Sequence, residues 1–380
     1  MITLSPLSVY VHIPWCVRKC PYCDFNSHAA GNELPEQAYL AALKRDLLAE
    51  QPFAQGRKVA TVFFGGGTPS LFSAQAIGEI ITLLDQTLGL QADAEITLEA
   101  NPGTFERQKF RDYLAAGVTR LSVGVQSFNG QHLQKLGRIH SGDEAHRAIV
   151  TAMEVGYQHI NIDLMHGLPE QSAADAMADL HTATQFGVDH ISWYQLTIEP
   201  NTVFYSKPPT LPVEDTLADI QEQGADWLAL QGYQQYEVSA FAQAGGQCHH
   251  NLNYWRFGDY LGIGAGAHGK VTDAGSGLIQ RRRKTRLPEH YLQAVSPLAG
   301  AVPVAEQEQL LEFAMNALRL VCGVESQLAA QRLGQALPWP RLQPVIDAGL
   351  LQPQGERFVT TDFGFQFLNE TLARIDDCFE

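Results

Sequence analysis

What most constrains the fold is a rhythm. In the first half of the chain, short runs nearly continuous in apolar residues alternate with amphipathic stretches of helical length. The runs are Ser8–Ile13, Val59–Phe64, Glu95–Glu99, Arg120–Val125, His159–Leu164 and His190–Leu196. A strand apolar on both faces must be covered on both, which is the condition of a parallel sheet built from βαβ units. Helices are expected over Glu36–Glu50, Ala74–Thr87, Glu106–Ala116, Asp143–Val155 and Ala173–Phe186. Gly117, Gly156 and Gly187 follow three of them, where a left-handed C-terminal cap is wanted. Six such units predict an α/β fold, a partial (β/α)6 TIM-type barrel, and chemistry in barrels of this kind gathers at the C-terminal ends of the strands.

The rhythm breaks after Pro200. Pro208, Pro209 and Pro212 lead into a long helix, Val213–Gln231, and a Gly-rich, aromatic stretch follows from Gly245 to Gly277. From Val304 the chain turns helical, then gives a hairpin-like Leu350–Thr361 and a closing helix to Ile375, the order of a winged-helix-like unit. The expected division is a barrel over 1–205, an extension over 206–300 and a C-terminal winged-helix-like domain over 301–380.

Composition narrows the partners. A chain of 380 residues with 45% hydrophobic and 18% charged residues is globular, and its net charge of -15 disfavours nucleic acid, whose binding rests on neutralising phosphates. No apolar run is long enough to insert in a membrane. The opening MITLSPLSVYVHIPW lacks the basic start and apolar core of a signal peptide, so a cytoplasmic location is expected. One basic run stands apart, Arg281, Arg282, Arg283, Lys284 and Arg286. It is either a solvated turn or a holder of carboxylates such as propionates.

Three of the six cysteines, Cys16, Cys20 and Cys23, crowd into one polar loop after the first strand. In a reducing compartment that spacing speaks for ligation rather than disulfides. The loop can wrap three corners of an iron-sulfur cube, which ordinarily has four cysteine ligands, leaving one iron open to a small molecule. A zinc site completed by His28 or Cys248 is the alternative, although C-x3-C-x2-C matches no usual zinc spacing. Gly65-Gly66-Gly67-Thr68-Pro69 follows the second strand, and unshielded backbone there suits a small zwitterion as well as an ordinary tight turn. Glu99, Asn101, Gln126, Asp163 and Gln195 sit at further strand ends, where polar residues either share a site or cap helices.

C-x3-C-x2-C after a first strand, with an aromatic before its last cysteine, resembles the radical-SAM superfamily. The resemblance implies a 4Fe-4S cluster on Cys16, Cys20 and Cys23, with S-adenosylmethionine chelated at the open iron and cleaved by the cluster's electron to a 5'-deoxyadenosyl radical. The strings YVHIPWC, GGGTPS, EANPGT, GVQSF, LGRIH, DLMHGLP and YQLTIEPNT closely resemble its oxygen-independent coproporphyrinogen oxidase branch. By that similarity Tyr10, Tyr22, Gly66, Gly67, Thr68, Glu99, Gln126, Arg138 and Asp163 carry over as S-adenosylmethionine contacts. Within the branch, chain length and the stretch His249-His250-Asn251-Leu252-Asn253-Tyr254-Trp255 resemble the heme chaperones rather than the oxidase. The oxidase pattern has another cysteine two positions after the third, where this chain has Phe25, and a longer segment before strand one.

The resemblance therefore implies a heme chaperone without coproporphyrinogen oxidase activity. Heme would be held through His250, Asn251, Tyr254 and Trp255, with Cys248 a further thiolate candidate, and passed to apo heme proteins, membrane-bound respiratory subunits among them. An aromatic stretch of this kind also suits plain core packing. The competing functions are an oxygen-independent coproporphyrinogen III dehydrogenase and a radical-SAM RNA-modifying enzyme. A homodimer stays open.

Overall fold

The computed structural model describes residues 2–31, 33–104 and 107–379. The expected helix start at Glu106 lies outside the described residues. Strands β1 (Leu7–Ile13), β2 (Val59–Gly66), β3 (Leu90–Ala100), β4 (Arg120–Gln126), β5 (His159–His166) and β6 (His190–Gln195) run side by side and parallel. Helices α1 (Glu36–Ala54), α2 (Ala74–Leu88), α3 (Arg107–Ala115), α4 (Gly142–Val155) and α5 (Ala173–Gln185) connect them. Gly117, Gly156 and Gly187 all take positive φ, as the αL caps require. Ser141 and Ser172 close capping boxes with Glu144 and Asp175, which fixes where α4 and α5 begin. This is the open (β/α)6 barrel that the rhythm predicts.

Its interior differs from the expected two-sided apolar sheet. Leu7, Val9, Val11 and Ile13 of β1 are fully buried, and they join the core that β1 shares with Leu43 and Leu47 of α1. The alternate residues form a polar lining bonded strand to strand. Ser8 meets Thr61 at 2.7 Å, Arg120 donates to Glu95 at 3.0 Å, and Asn161 donates to Ser122 at 2.8 Å. Because side chains alternate faces along a strand, every strand carries one apolar and one polar row. Small hydroxyl residues in the polar row make it hard to see in the sequence.

The extension adds strands rather than loops. After α6 (Glu214–Leu230), β7 (Gln234–Glu237) and β8 (Ala240–Ala242) continue the sheet antiparallel beyond β6. Then α7 (His249–Trp255) leads to β9 (Asp259–Ile263), which pairs parallel with β1, followed by β10 (His268–Thr272), β11 (Ile279–Lys284) and β12 (Leu298–Pro303), all antiparallel. Among the described residues the result is a 12-stranded sheet in the order β12-β11-β10-β9-β1-β2-β3-β4-β5-β6-β8-β7.

The basic run is thus mostly strand β11, not a solvated turn. Arg282 and Lys284 are buried against α1, where both bond Glu50, at 2.9 and 2.6 Å, and Lys284 also meets Asp46.

The chain ends in a unit of α8 (Glu306–Ala317), a short β13 (Val324–Glu325), α9 (Ser326–Leu333), α10 (Trp339–Asp347), a hairpin β14 (Leu351–Gln354) and β15 (Arg357–Thr360), and α11 (Leu368–Phe379). The order is winged-helix-like. Its core, with Phe313, Leu342, Phe358 and Ile375, also takes in Phe257 and Ile279, so the unit is packed onto the extension.

Candidate active-site cavity and its relatives

The cysteine loop is tied at both ends. Trp15–Cys16 pairs with His28–Ala29, Ala30 N–H donates to the Cys16 carbonyl at 2.8 Å, and His28 N–H donates to the Pro14 carbonyl at 2.7 Å. Within it, Cys23 N–H turns back to the Cys20 carbonyl at 3.2 Å. A peptide closed in this way presents Cys16, Cys20 and Cys23 to one cavity of about 230 Å³ at the C-terminal mouth of the barrel. Among the described residues, no three His, Cys, Asp or Glu side chains converge on a point where a single ion could sit. A cube with a thiolate at each of three corners wants its ligands spread.

The same cavity is lined by Tyr22, Gly66, Gly67, Thr68, Glu99, Gln126, Arg138 and Asp163. Gly67 N–H donates to the Ile13 carbonyl and Thr68 N–H to the Trp15 carbonyl, at 2.8 and 2.7 Å, which seats the glycine turn against the cysteine loop. A Cβ on Gly67 would lie 2.6 Å from the Trp15 carbonyl oxygen, and one on Gly66, with φ +112°, would enter the His12 ring. Glycine is required there for contact as well as conformation.

Four ionisable side chains besides the cysteines and tyrosines line the cavity: Arg18 at its exposed rim, and Arg138, Glu99 and Asp163 within. Arg138 is a hub: it donates to Asn101 at 2.6 Å, to the Gly124 carbonyl at 2.7 Å and to the Cys20 sulfur at 3.6 Å. Glu99 accepts the Gly66 N–H at 3.2 Å. Burial, with Asp163 nearby, pushes its carboxyl up to about 8. Asp163 accepts from Ser122 and Asn161, both at 2.7 Å, and burial still raises it. Two buried acids beside the single buried guanidinium of Arg138 leave room for a cationic guest, and the donor set fits the implied groups. The thiols could hold three irons of a cluster, and the glycine N–H and C=O groups could grip an amino acid end. Glu99 and Asp163 could take an ammonium or ribose hydroxyls, and Arg138 a carboxylate.

Tyr10 does not line this cavity. It faces a neighbouring one, stacked on Phe63, with its hydroxyl 3.1 Å from His12 Nδ1. Tyr194, next to last in β6, is a site residue that the sequence reading does not single out; it donates to Gln126 at 2.8 Å inside the cavity. Its place two residues beyond Ser192, in the polar row, is the signal that could have found it.

The expected heme residues lie together on α7, but His250 and Tyr254 are engaged with each other and with the barrel lining. His250 is 1% exposed, with Nδ1 2.8 Å from the Thr61 hydroxyl and Nε2 3.1 Å from the Tyr254 hydroxyl. Burial pulls its pKa down to about 3, and neither nitrogen reaches an iron without breaking one of those bonds. Cys248 is buried too, 3.4 Å from Glu95, and far above the ordinary thiol range through burial. Asn251 and Trp255 are half-buried on α7, with the Arg319 guanidinium over the Trp255 ring at 4.3 Å. Tyr254 alone of the set reaches the neighbouring mouth cavity.

Residues 10–182 match the Radical SAM superfamily. The chain is 50% identical over 374 residues to the heme chaperone HemW of Escherichia coli strain K12, covering 98% of each. It is 48% identical to that of Haemophilus influenzae, again over 98% of each. The Radical S-adenosyl methionine domain-containing protein 1, mitochondrial, of Bos taurus is 35% identical over 92% of this chain and 81% of its own length. The solved coproporphyrinogen III oxidase HemN of Escherichia coli superposes with a TM-score of 0.82 over 99% of this chain and 90% of that one at 23% identity, a likeness of fold. Similarity of this extent runs through the cysteine loop, α7 and the C-terminal unit alike, and the chain belongs to the HemW family of radical-SAM proteins.

Proposed function

We propose that this protein is a cytoplasmic heme chaperone that binds heme and transfers it to apo heme proteins, membrane-bound respiratory subunits among them. The end-to-end identity of 50% to a protein named for that activity carries the reading. In it, Cys16, Cys20 and Cys23 hold a 4Fe-4S cluster. Tyr22, Gly66, Gly67, Thr68, Glu99, Gln126, Arg138 and Asp163 hold S-adenosylmethionine, with Tyr10 behind them. When bound, the cluster supplies a single electron to the cofactor beside it. The chain's own contribution is orientation and dryness. Gly66 and Gly67 bring backbone within reach, Arg138 bridges the cysteine loop to β4, and Glu99 and Asp163 supply negative charge where a sulfonium or ammonium would lie.

Phe25, 63% exposed beside Cys23, supports separation from the oxidase, whose pattern places a cysteine there. No described helix is long and apolar enough to cross a membrane, so delivery to a membrane protein would proceed through contact. The deciding experiment is anaerobic reconstitution with iron and sulfide, heme titration, and mixing with an apo heme protein, with coproporphyrinogen III turnover followed on the same samples. Stable heme binding and transfer without vinyl products is the expected result. Turnover without heme binding would return the chain to the oxidases. A salt-sensitive shift of tRNA would instead favour an RNA-modifying enzyme.

A further inference from the structure

A second cavity, of about 550 Å³, opens at the mouth of the barrel and shares Phe25 with the first. Volumes of this order suit cofactor-sized ligands. One wall is aromatic: Tyr10, Tyr254 and Tyr260, the last two edge to face at 4.4 Å. The lining is also cationic, carrying Arg283, Lys284 and Arg286.

The rest of the basic run is already neutralised. Arg281 pairs with Glu312 and Arg282 with Glu50, and Lys284 pairs with Asp46 and Glu50. Strand parity explains the sorting, since Arg282 and Lys284 point to α1 while Arg281 and Arg283 point to the other face. Among the described residues no carboxylate pairs with Arg283 or Arg286, in a chain of net charge -15. Arg286 instead donates to the Asn26 side chain at 3.2 Å. Asp24 is the one acid among the lining residues. Two guanidiniums with no carboxylate partner among the described residues, in a cavity also lined by tyrosines, suit a flat ligand carrying carboxylates.

His268 lines the same cavity, exposed and directly opposite Arg283 in the β10–β11 register. Burial and the neighbouring arginines hold it below the usual imidazole range, so the ring is neutral at pH 7 and able to ligate a metal. The other histidine of the cavity, His12, has both nitrogens engaged, by the Tyr10 hydroxyl at 3.1 Å and the Asn26 carbonyl at 2.9 Å.

We infer that this cavity is where heme is carried, its propionates on Arg283 and Arg286, its face against Tyr254 and Tyr260, and its iron on His268 rather than His250. The inference rests on the heme-chaperone reading and gives that reading a location. A single histidine on the iron at an open rim leaves the opposite axial position for a ligand of the recipient, which is what transfer needs.

The test is equilibrium titration of the full-length, cluster-reconstituted protein with heme and with heme dimethyl ester. Wild type, His268→Ala, His250→Ala and the double variant Arg283→Gln/Arg286→Gln are compared, with circular dichroism confirming fold. Histidine ligation is read by electron paramagnetic resonance and the Soret band. His268→Ala is expected to lose the histidine signature and weaken binding about tenfold, and the double arginine variant to weaken heme about tenfold while leaving the ester unchanged. A histidine signature kept in His268→Ala and lost in His250→Ala would overturn this location and leave the chaperone reading standing. Absence of heme binding by wild type would bring down the chaperone reading itself.

Discussion

Glu99 is the residue whose chemistry is most exposed to test. Its carboxyl, pushed up to about 8 by burial and by Asp163, is protonated at pH 7 in the free protein. A cation arriving beside it lowers that pKa, so S-adenosylmethionine binding to the reconstituted protein should release up to about one proton. Calorimetry in buffers of different ionisation enthalpy measures this directly. Glu99→Gln should abolish the buffer dependence, and equal proton release from wild type and variant would show that Glu99 does not face the cation. The residue is legible in the sequence as a polar strand end, as are Gln126 and Asp163. Its unusual protonation is not, because that depends on Asp163 from a different strand. His250 shows the opposite case. Its neighbourhood in the chain reads as a ligand motif, while its burial and both its partners come from the fold.

At the scale of elements, α6 contains a glycine that propensity alone would replace. Gly224→Ala removes a helix-interior glycine, a gain of about 1 kcal/mol. A Cβ there, however, would be driven into the Trp193 indole of β6, and overpacking of this kind costs about 1–3 kcal/mol. The variant should therefore melt at lower temperature than wild type, and a higher melting temperature would mean that α6 is free to move off the sheet. On the other flank, Glu50→Ala strips buried Arg282 of its carboxylate partner and leaves Lys284 with Asp46 alone. Denaturant unfolding should show a loss of roughly 3 kcal/mol. The six parallel strands and their helices are legible because each is a local pattern, several of them closed by a serine cap or a positive-φ glycine. Strands β9 to β12 are not. They are short, Gly-rich or basic, and their register is set by β1, far away in the chain.

For the whole molecule, acid sensitivity follows from buried neutral histidines. Burial pulls His190 and His250 from 6.5 to about 3. His190 faces Asn161, Tyr236 and the positive Arg120, while His250 faces Thr61, Tyr254 and the negative Glu95. Since the folded pKa lies below the unfolded one, their stabilisation is complete above about pH 6.5 and is lost as pH falls toward 3. Each group contributes up to about 1.4 kcal/mol per pH unit. Denaturant midpoints measured from pH 7 to 4 should fall, and His190→Gln should lessen the slope by about one proton; parallel curves for both proteins would exclude His190 as a source. The pairing of β1 with β9, Leu7 opposite Asp259, carries a consequence for biogenesis. The strand that leads into the cysteine loop keeps one open edge until about two thirds of the chain has left the ribosome. Contacts so distant in sequence close slowly. A chain truncated before Asp259 should therefore leave the β1 edge beside the cysteine loop uncovered, and its thiols should alkylate faster than those of the full chain.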